Sequence, residues 1–220
     1  MKKFVSLFFA LSIVVMSQSC SVSQGLAGLS PDKALSGVQA LLGGASNNAL
    51  KGFAGNILAN AVMQKVMPKE LSNITNLLGN SSEGTKALGL LNSAIGASVP
   101  DVASSLLGNA TKSIAAADAL NLLKGGDTGA TDFLKKATGQ KLAAALLPSI
   151  TKQLTNNGAI DAVVTALGSQ ASGLLGNGKP GISDLVTSGA VDGLFAMMGN
   201  AEKAERANPT DPILKEIFGK

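Results

Sequence analysis

The stretch Leu122-Leu-Lys-Gly-Gly-Asp-Thr-Gly-Ala-Thr-Asp-Phe-Leu134 carries the signals for the end of one helix, a turn and the start of the next helix. Lys124 is a basic residue of the kind favoured in the last turn of a helix, and Gly125 is the residue expected to adopt positive φ just beyond it. Asp127 or Thr128 can then cap the helix that follows. The stretch therefore predicts two helices joined by a tight turn.

Similar helix-ending signals recur along the chain. Their intervals are irregular, so we interpret them as repeated helix stops and not as a solenoid. No segment alternates with period two for long enough to suggest a sheet. The sequence predicts an all-α fold: a single compact domain of about eight to ten short helices, each of two to four turns. The signals are Leu-Leu pairs at 41, 77, 90, 106, 122 and 174, and Met197-Met-Gly-Asn resembles them.

The start of the domain is marked by Ser30 followed by Pro31. Ser is a favoured N-cap, and Pro is favoured at the first helical position. Gly43-Gly44 is expected to end this first helix. A second apolar helix is expected from about Asn48 to Met67, and Pro68 is expected to start the next one.

The second half of the chain shows further breaks. Gly139 is expected to interrupt the helix that begins at Phe133, and Pro148 is expected to kink or divide the following one. Asn156-Asn-Gly158 is a turn signal, and Gly176 to Gly181 is the longest loop signal in the chain. Short helical pieces are therefore expected here too.

A last long helix and a short final one are predicted near the C-terminus. Ser183 can cap the long helix, whose inner face would be Val186, Ala190, Leu194 and Met197. The segment Glu202 to Arg206 is expected to be solvated because it is rich in charge. A short amphipathic helix should follow Pro212.

The N-terminus has the pattern of an export signal. Met1-Lys-Lys precedes the apolar segment Phe4 to Met16, which is shorter than the roughly 20 residues of a membrane-spanning helix. Cys20, the only cysteine, follows directly and cannot form an intrachain disulfide. It resembles the lipobox cysteine of bacterial lipoproteins. Ser19 suits the cleavage site, whereas Ser17 stands where many lipoboxes have Leu.

The lipoprotein resemblance implies that a diacylglyceryl group is attached to Cys20, with cleavage before it and acylation, for example by palmitate, of the new amino group. Two or more chains would anchor the protein firmly. The implied division is a signal peptide over 1–19, a lipidated flexible tether over 20–30 and a helical domain over 31–220. An ordinary signal peptide with a free thiol, or an uncleaved anchor, are the alternatives.

Location in the cell envelope follows from the same resemblance. Residues 22–25 lack the acidic run that resembles a surface-export signal of Bacteroidota lipoproteins. We therefore expect a protein anchored in a membrane, on the outer membrane and facing the periplasm.

Composition argues against several functions. Without Lys2 and Lys3, which belong to the predicted signal, 16 basic and 14 acidic residues leave a net charge of +2 and predict no nucleic-acid partner. The chain has no His, Trp or Tyr. It therefore lacks the commonest general base and metal ligand, and its only thiol is assigned to the anchor. We predict a protein that is not an enzyme and has no cofactor.

Four residues are candidates for a ligand or metal site. The turn before Thr128 could bind an anion through its N–H groups, but Asp127 would repel it and no P-loop Lys-Ser/Thr follows. Asp127, Asp132 and Asp192 are hard oxygen ligands that could meet at a divalent cation, yet their spacing matches no EF-hand. Helix capping and solvation are the favoured roles, and no metal is predicted.

Several quoted segments together resemble the bacterial family catalogued as domain of unknown function 4197. They are Ala119 to Leu154, which includes Leu146-Leu-Pro-Ser-Ile, then Val186 to Met198, Asn208-Pro209 and Ile217-Phe-Gly219. The likeness spans most of residues 31 to 219. It implies an exported, mostly helical protein, often a lipoprotein, with no established activity. Leu and Ala occur between Phe133 and Leu147 where relatives commonly carry Tyr or Phe.

Two functional hypotheses remain open. One is a structural or interaction module that presents a helical surface to an envelope protein. The other is a carrier that binds an apolar small molecule or lipid between its helices. An internal apolar cavity would favour the carrier, and a solid core with an exposed apolar groove would favour the interaction module.

Overall fold

The computed structural model describes residues 26, 28–176 and 180–219. Within these ranges the secondary structure is helical and contains no strand, which confirms the all-α prediction. The predicted signal peptide, Cys20 and part of the Gly176 to Gly181 loop lie outside the described residues. The helices are α1 (Pro31–Gly52), α2 (Ala61–Val66), α3 (Lys69–Leu78), α4 (Ser82–Lys112), α5 (Ala116–Lys124), α6 (Gly129–Asn156), α7 (Ala159–Leu167), α8 (Ala171–Leu175), α9 (Ile182–Ala207) and α10 (Pro212–Phe218), with 3-10 turns at Ile57–Ala59 and Gly168–Gln170.

Four long helices form the body of the domain. Helices α1, α4, α6 and α9 contain 22, 31, 28 and 26 residues. Each packs on two others in the cyclic order α1, α4, α6, α9, so that α1 lies diagonally opposite α6. The apolar faces of all four meet in one continuous core, to which the shorter helices contribute. The arrangement is a four-helix body covered in part by short helices.

The described residues form ten helices, in agreement with the predicted number, but α1, α4, α6 and α9 are longer than the two to four turns expected. Gly43-Gly44 lies inside α1, Gly139 inside α6, and Pro148 does not end α6. A glycine in a helix costs about 1 kcal/mol and a proline roughly 3 kcal/mol. Burial of one face of a long helix offsets those costs, because packing supplies most helix stability in proteins. Local signals therefore overestimated the number of breaks.

The Leu-Leu pairs fall into two groups, those at helix ends and those inside long helices. Those at 77, 122 and 174 lie at the ends of α3, α5 and α8. Those at 41, 90, 106 and Met197 lie inside long helices, where at least one residue of each pair is buried or packed against the core. A Leu-Leu pair therefore does not by itself mark a helix end, because the pairs at helix ends are packed against the core as well.

The predicted helix from Asn48 to Met67 is also wrong. Helix α1 continues to Gly52, and an irregular turn and a 3-10 turn separate it from α2. Asn92 of α4 holds this connection: its Oδ1 accepts from the N–H of Leu58 at 2.9 Å, and its Nδ2 donates to Oδ1 of Asn56 at 2.8 Å. A side chain distant in sequence therefore stabilises the break.

Several predicted caps are confirmed. Ser30 Oγ accepts from the N–H of Lys33 at 3.3 Å, and Pro31 is the first residue of α1. The short final helix starts at Pro212. Ser183 lies inside α9 and does not cap it: Gly181 holds the N-cap position. The predicted inner face of this helix is correct, since Val186, Ala190, Leu194 and Met197 are all buried.

Gly158 and Gly108 give a matched pair for testing the helix boundaries. Gly158 has φ of 73° at the predicted turn, so Gly158→Ala should lower the free energy of unfolding by about 1 kcal/mol. Gly108 lies inside α4 with nothing within 4 Å of an added Cβ. Gly108→Ala should therefore raise the free energy of unfolding by about 0.5–1 kcal/mol. Urea denaturation would measure the change in the free energy of unfolding for both variants. Two changes of the same sign would contradict the assigned helix boundaries.

Candidate functional site

The turn between α5 and α6 is held by a carboxylate from α9. Glu202 is fully buried, with 0% of its surface exposed. Its Oε1 accepts from the N–H of Ala130 at 3.0 Å, and its Oε2 accepts from the N–H of Thr131 at 2.7 Å. Both donors belong to the first turn of α6, where backbone N–H groups lack partners within the helix. Glu202 therefore caps α6 from a distant part of the chain.

Arg206 caps the end of α5 by donating hydrogen bonds to carbonyl groups there. Its Nη2 and Nε donate to Glu202 Oε1 at 2.7 and 2.9 Å. Its Nη1 donates to the carbonyl of Leu123 at 2.7 Å, and its Nη2 also donates to that of Leu122 at 2.9 Å. The guanidinium lies 5.2 Å from the centre of the Phe218 ring. We call these two residues the Glu202–Arg206 clasp, because they join α5, α6 and α9.

The clasp corrects two expectations. The segment from Glu202 to Arg206 is not solvated throughout, since Glu202 is buried and the side chain of Arg206 is only 10% exposed. Gly125 has φ of −58°, not the positive value expected. A Cβ at Gly125 would lie 3.1 Å from the Leu122 carbonyl oxygen and 3.4 Å from Gly129 Cα. Close packing of the turn therefore explains the glycine.

The candidate residues Asp127 and Thr128 have local roles. Thr128 occupies the N-cap position of α6 but its side chain accepts no capping bond. Its hydroxyl donates to Asp132 Oδ2 at 2.9 Å. Asp127 forms an exposed ion pair with Lys203 at 2.8 Å. Capping by Asp127 or Thr128 is thus replaced by capping from the clasp.

Asp132 and Asp192 lie on the two sides of one surface groove. Asp192 Oδ1 accepts from Lys135 Nζ at 2.8 Å, an ion pair that joins α9 to α6. Thr128 borders the same groove, whereas Asp127 points to Lys203. In the part of the chain that the structure describes, no three acids, Cys or His cluster in a way that could hold a metal ion.

We call this feature the α6/α9 groove, because it follows the seam between those helices. It is a chain of depressions open to solvent, the largest of about 910 Å³. From Thr128 to Thr151 it spans 23 residues of α6, or roughly 35 Å at the rise of an α-helix. Its walls include Asp132, Lys135, Gly139, Ala143, Ala144 and Leu147 of α6 and Asp184, Ser188, Val191, Asp192 and Ala196 of α9.

The exposed large apolar side chains concentrate along this groove. The described residues contain four of them, Val66, Phe133, Val164 and Ile213. The first three border the groove: Val66 and Val164 lie at its two ends, and Phe133 lies beside its largest depression. Helices α2 and α7 reach only its ends. Among the described residues, no element covers the apolar strip between these two long helices.

One buried polar group lies within the groove. Thr187 lines its middle section, is 3% exposed, and has a hydroxyl oxygen without a hydrogen-bond partner. A buried hydroxyl without a partner costs about 1–3 kcal/mol. Neither Thr187 nor Lys135 was among the sequence candidates. Only the pairing of α6 with α9 places Lys135 beside Asp192, and nothing next to Thr187 in the sequence marks it as buried.

The described residues thus define an all-α domain with an open groove between the long helices α6 and α9. Residues 28–219 match the family described as protein of unknown function (DUF4197), and the chain belongs to that family. The match covers every helix from α1 to α10 and confirms the resemblance that was based on the segments between Ala119 and Gly219. No curated protein and no solved structure matches the chain. Among the described helices, none is both long and apolar enough to cross a bilayer.

The Asp127–Lys203 pair gives a prediction about titration. Lys203 hydrogen-bonds to the Asp127 carboxylate and its charge attracts it, which lowers the pKa of Asp127; the same contact raises the pKa of Lys203. The stabilisation from Asp127 is present above its ordinary pKa, about 4, and is lost as the pH falls through its lowered folded value. In Lys203→Gln, NMR titration should show the Asp127 pKa rising towards ordinary values. An unchanged pKa would mean that the pair does not form in solution.

Proposed function

We propose that this protein is a non-catalytic, lipid-anchored module of the bacterial cell envelope that binds a helical segment of another envelope protein in the α6/α9 groove. The observation that carries the proposal is the gathering of three of the four described exposed large apolar side chains along one uncovered helix seam. Ala143, Ala144 and Leu147 line the groove between these side chains, and an apolar surface rimmed by polar residues marks an interaction site.

The dimensions of the groove favour a helix as its occupant. An amphipathic helix binds by laying apolar residues spaced three and four apart into a groove. About 23 residues of helix would span roughly 35 Å. Gly139, Ala143 and Ala144 are small and permit a close approach, and α6 carries no charge between Lys141 and Lys152. A third helix on α6 and α9 would cover Phe133 and Val164.

The membrane anchor in this proposal rests on the sequence. Cys20 directly follows the apolar segment Phe4 to Met16, which is too short to span a bilayer. Acyl chains on Cys20 would hold the domain at the outer membrane, facing the periplasm. Anchoring would also keep the groove at a high local concentration of envelope partners.

A binding role accounts for the groove better than catalysis does. Asp192 is paired with Lys135, and Asp132 accepts from Thr128. Both acids thus serve contacts within or between helices, and the chain has no His to act as a general base. The largest depressions are open to solvent, which supports a protein partner more than the enclosed binding of a lipid.

A charge placed in the groove tests the proposal. Ala144 is exposed and lines its middle section, so Ala144→Glu should leave the fold intact but place a carboxylate against an apolar helix. We expect at least a tenfold loss of partner recovered on native purification from membranes, which corresponds to about 1.4 kcal/mol. Ala204→Glu, the same change at an exposed α9 position outside the groove, should retain the partner.

The same experiment distinguishes a protein-binding module from a carrier of a small molecule. Mass spectrometry of the purified protein would detect proteins and small molecules together. An apolar small molecule lost in Ala144→Glu, with no partner protein, would support the carrier instead. Equal recovery of the same proteins by both variants would contradict a role for the groove.

A further inference from the structure

We propose that one end of the domain rests against the phospholipid surface, and we call it the anchor pole. It consists of Leu26, the start of α1 and helix α10. This inference rests on the proposed lipid anchor at Cys20. It adds the orientation of the domain, and therefore the direction in which the α6/α9 groove is presented.

The covalent chain limits how far the domain can lie from the membrane. Leu26 is 4% exposed and belongs to the apolar core, so the body of the domain begins there. Only six residue steps separate it from Cys20, a reach of at most about 22 Å. A domain of this size has a radius of gyration of about 16 Å. The side of the body near Leu26 must therefore lie next to a bilayer that holds Cys20.

Pro31, the first residue of α1, is five residue steps from Leu26 and so lies within about 18 Å of it. Contacts at the start of α1 show which elements share that side. Lys33, near the start of α1, forms an ion pair with Glu216 of α10. Ile217 of α10 packs beside Gly37, one turn further along α1. The end of α9 is there as well, because Arg206 lies under the Phe218 ring. These elements therefore form one end of the domain.

The chemistry of this end suits a lipid headgroup region. Ile213 is the one exposed large apolar side chain of the described residues that does not border the groove, and it is 37% exposed on α10. Lys215 is exposed on the same short helix. Apolar and basic side chains together suit the boundary between acyl chains and phosphates. Since Lys33 is already paired with Glu216, the acyl chains would supply most of the attachment.

The groove extends towards the opposite end. Helix α9 runs 24 residues back from Arg206 to Ile182, or roughly 36 Å. Ile182 borders the end of the groove that also contains Leu147 and Val164. Val164 should therefore face away from the bilayer, where a segment of another envelope protein can enter the groove.

Two single-cysteine variants test the orientation. Acylation converts Cys20 to a thioether, so a cysteine added elsewhere is the only free thiol. Ile213→Cys and Val164→Cys are matched, because both replace an exposed β-branched residue of a short helix, 37% and 43% exposed. Each acylated protein is labelled with the fluorophore NBD and reconstituted into phosphatidylethanolamine and phosphatidylglycerol vesicles with spin-labelled headgroups.

We expect the label at residue 213 to be quenched at least threefold more than the label at residue 164. Equal quenching, or stronger quenching at 164, would overturn the orientation. Intact-mass analysis separates this from the proposed function. An unmodified Cys20 would overturn the anchor and the orientation together, whereas an acylated Cys20 with equal quenching would overturn the orientation alone.

Discussion

Replacing Glu202 with Gln is expected to lower the free energy of unfolding by about 3–5 kcal/mol. Glu202 is fully buried and satisfies two N–H groups of α6 and the guanidinium of Arg206. The neutral amide cannot accept all of these bonds and leaves Arg206 without its counter-charge. Removing one partner of a buried pair is costly for this reason. Urea denaturation followed by circular dichroism would measure the change.

Glu70→Gln is a suitable control for this experiment. Glu70 is an exposed acid in the first turn of α3, where its interaction with the helix dipole is worth less than about 1 kcal/mol. We therefore expect a small effect. If Glu202→Gln also changed stability by less than about 1 kcal/mol, the clasp would not hold α5 and α6 in solution.

Replacing Cys20 with Ala is expected to move the protein from the membrane fraction to the soluble fraction. Cys20 is the only residue that could carry the thioether-linked acyl chains, and no described helix could replace them as a membrane span. Ser23→Ala, three residues away, should leave the distribution unchanged. Fractionation followed by intact-mass analysis would measure both outcomes. A wild-type protein with an unmodified Cys20 would show that the lipobox assignment is wrong.

Signals between near neighbours were the most informative part of the sequence. The cap at Ser30 and the start of α10 at Pro212 depend on residues within one turn, and both are present in the structure. The buried face of α9 followed from helical periodicity. The helix breaks predicted at Gly43-Gly44 and Gly139 were wrong. The unfavourable helix propensity of glycine can be read from the sequence, whereas the burial that offsets it comes from contacts with other helices.

The clasp and the groove depend on contacts between distant parts of the chain. Glu202 caps a helix that begins about 70 residues earlier, and nothing beside it in sequence distinguishes it from the exposed Lys203. The groove lies along a seam of the four-helix body that α2 and α7 reach only at its ends. Sequence analysis did select Asp132 and Asp192, which lie on opposite walls, but not Lys135, which links Asp192 to α6.

Photo-crosslinking from Ala144 in living cells tests the central claim most directly. A photoreactive amino acid at Ala144 would lie in the middle of the groove, and one at Ala204 would lie on an exposed surface of α9 outside it. The proposed function predicts a discrete protein adduct from residue 144 that is absent from residue 204, with the crosslinked peptide falling in a helical segment of the partner. No adduct from residue 144, or the same adducts from both positions, would contradict it.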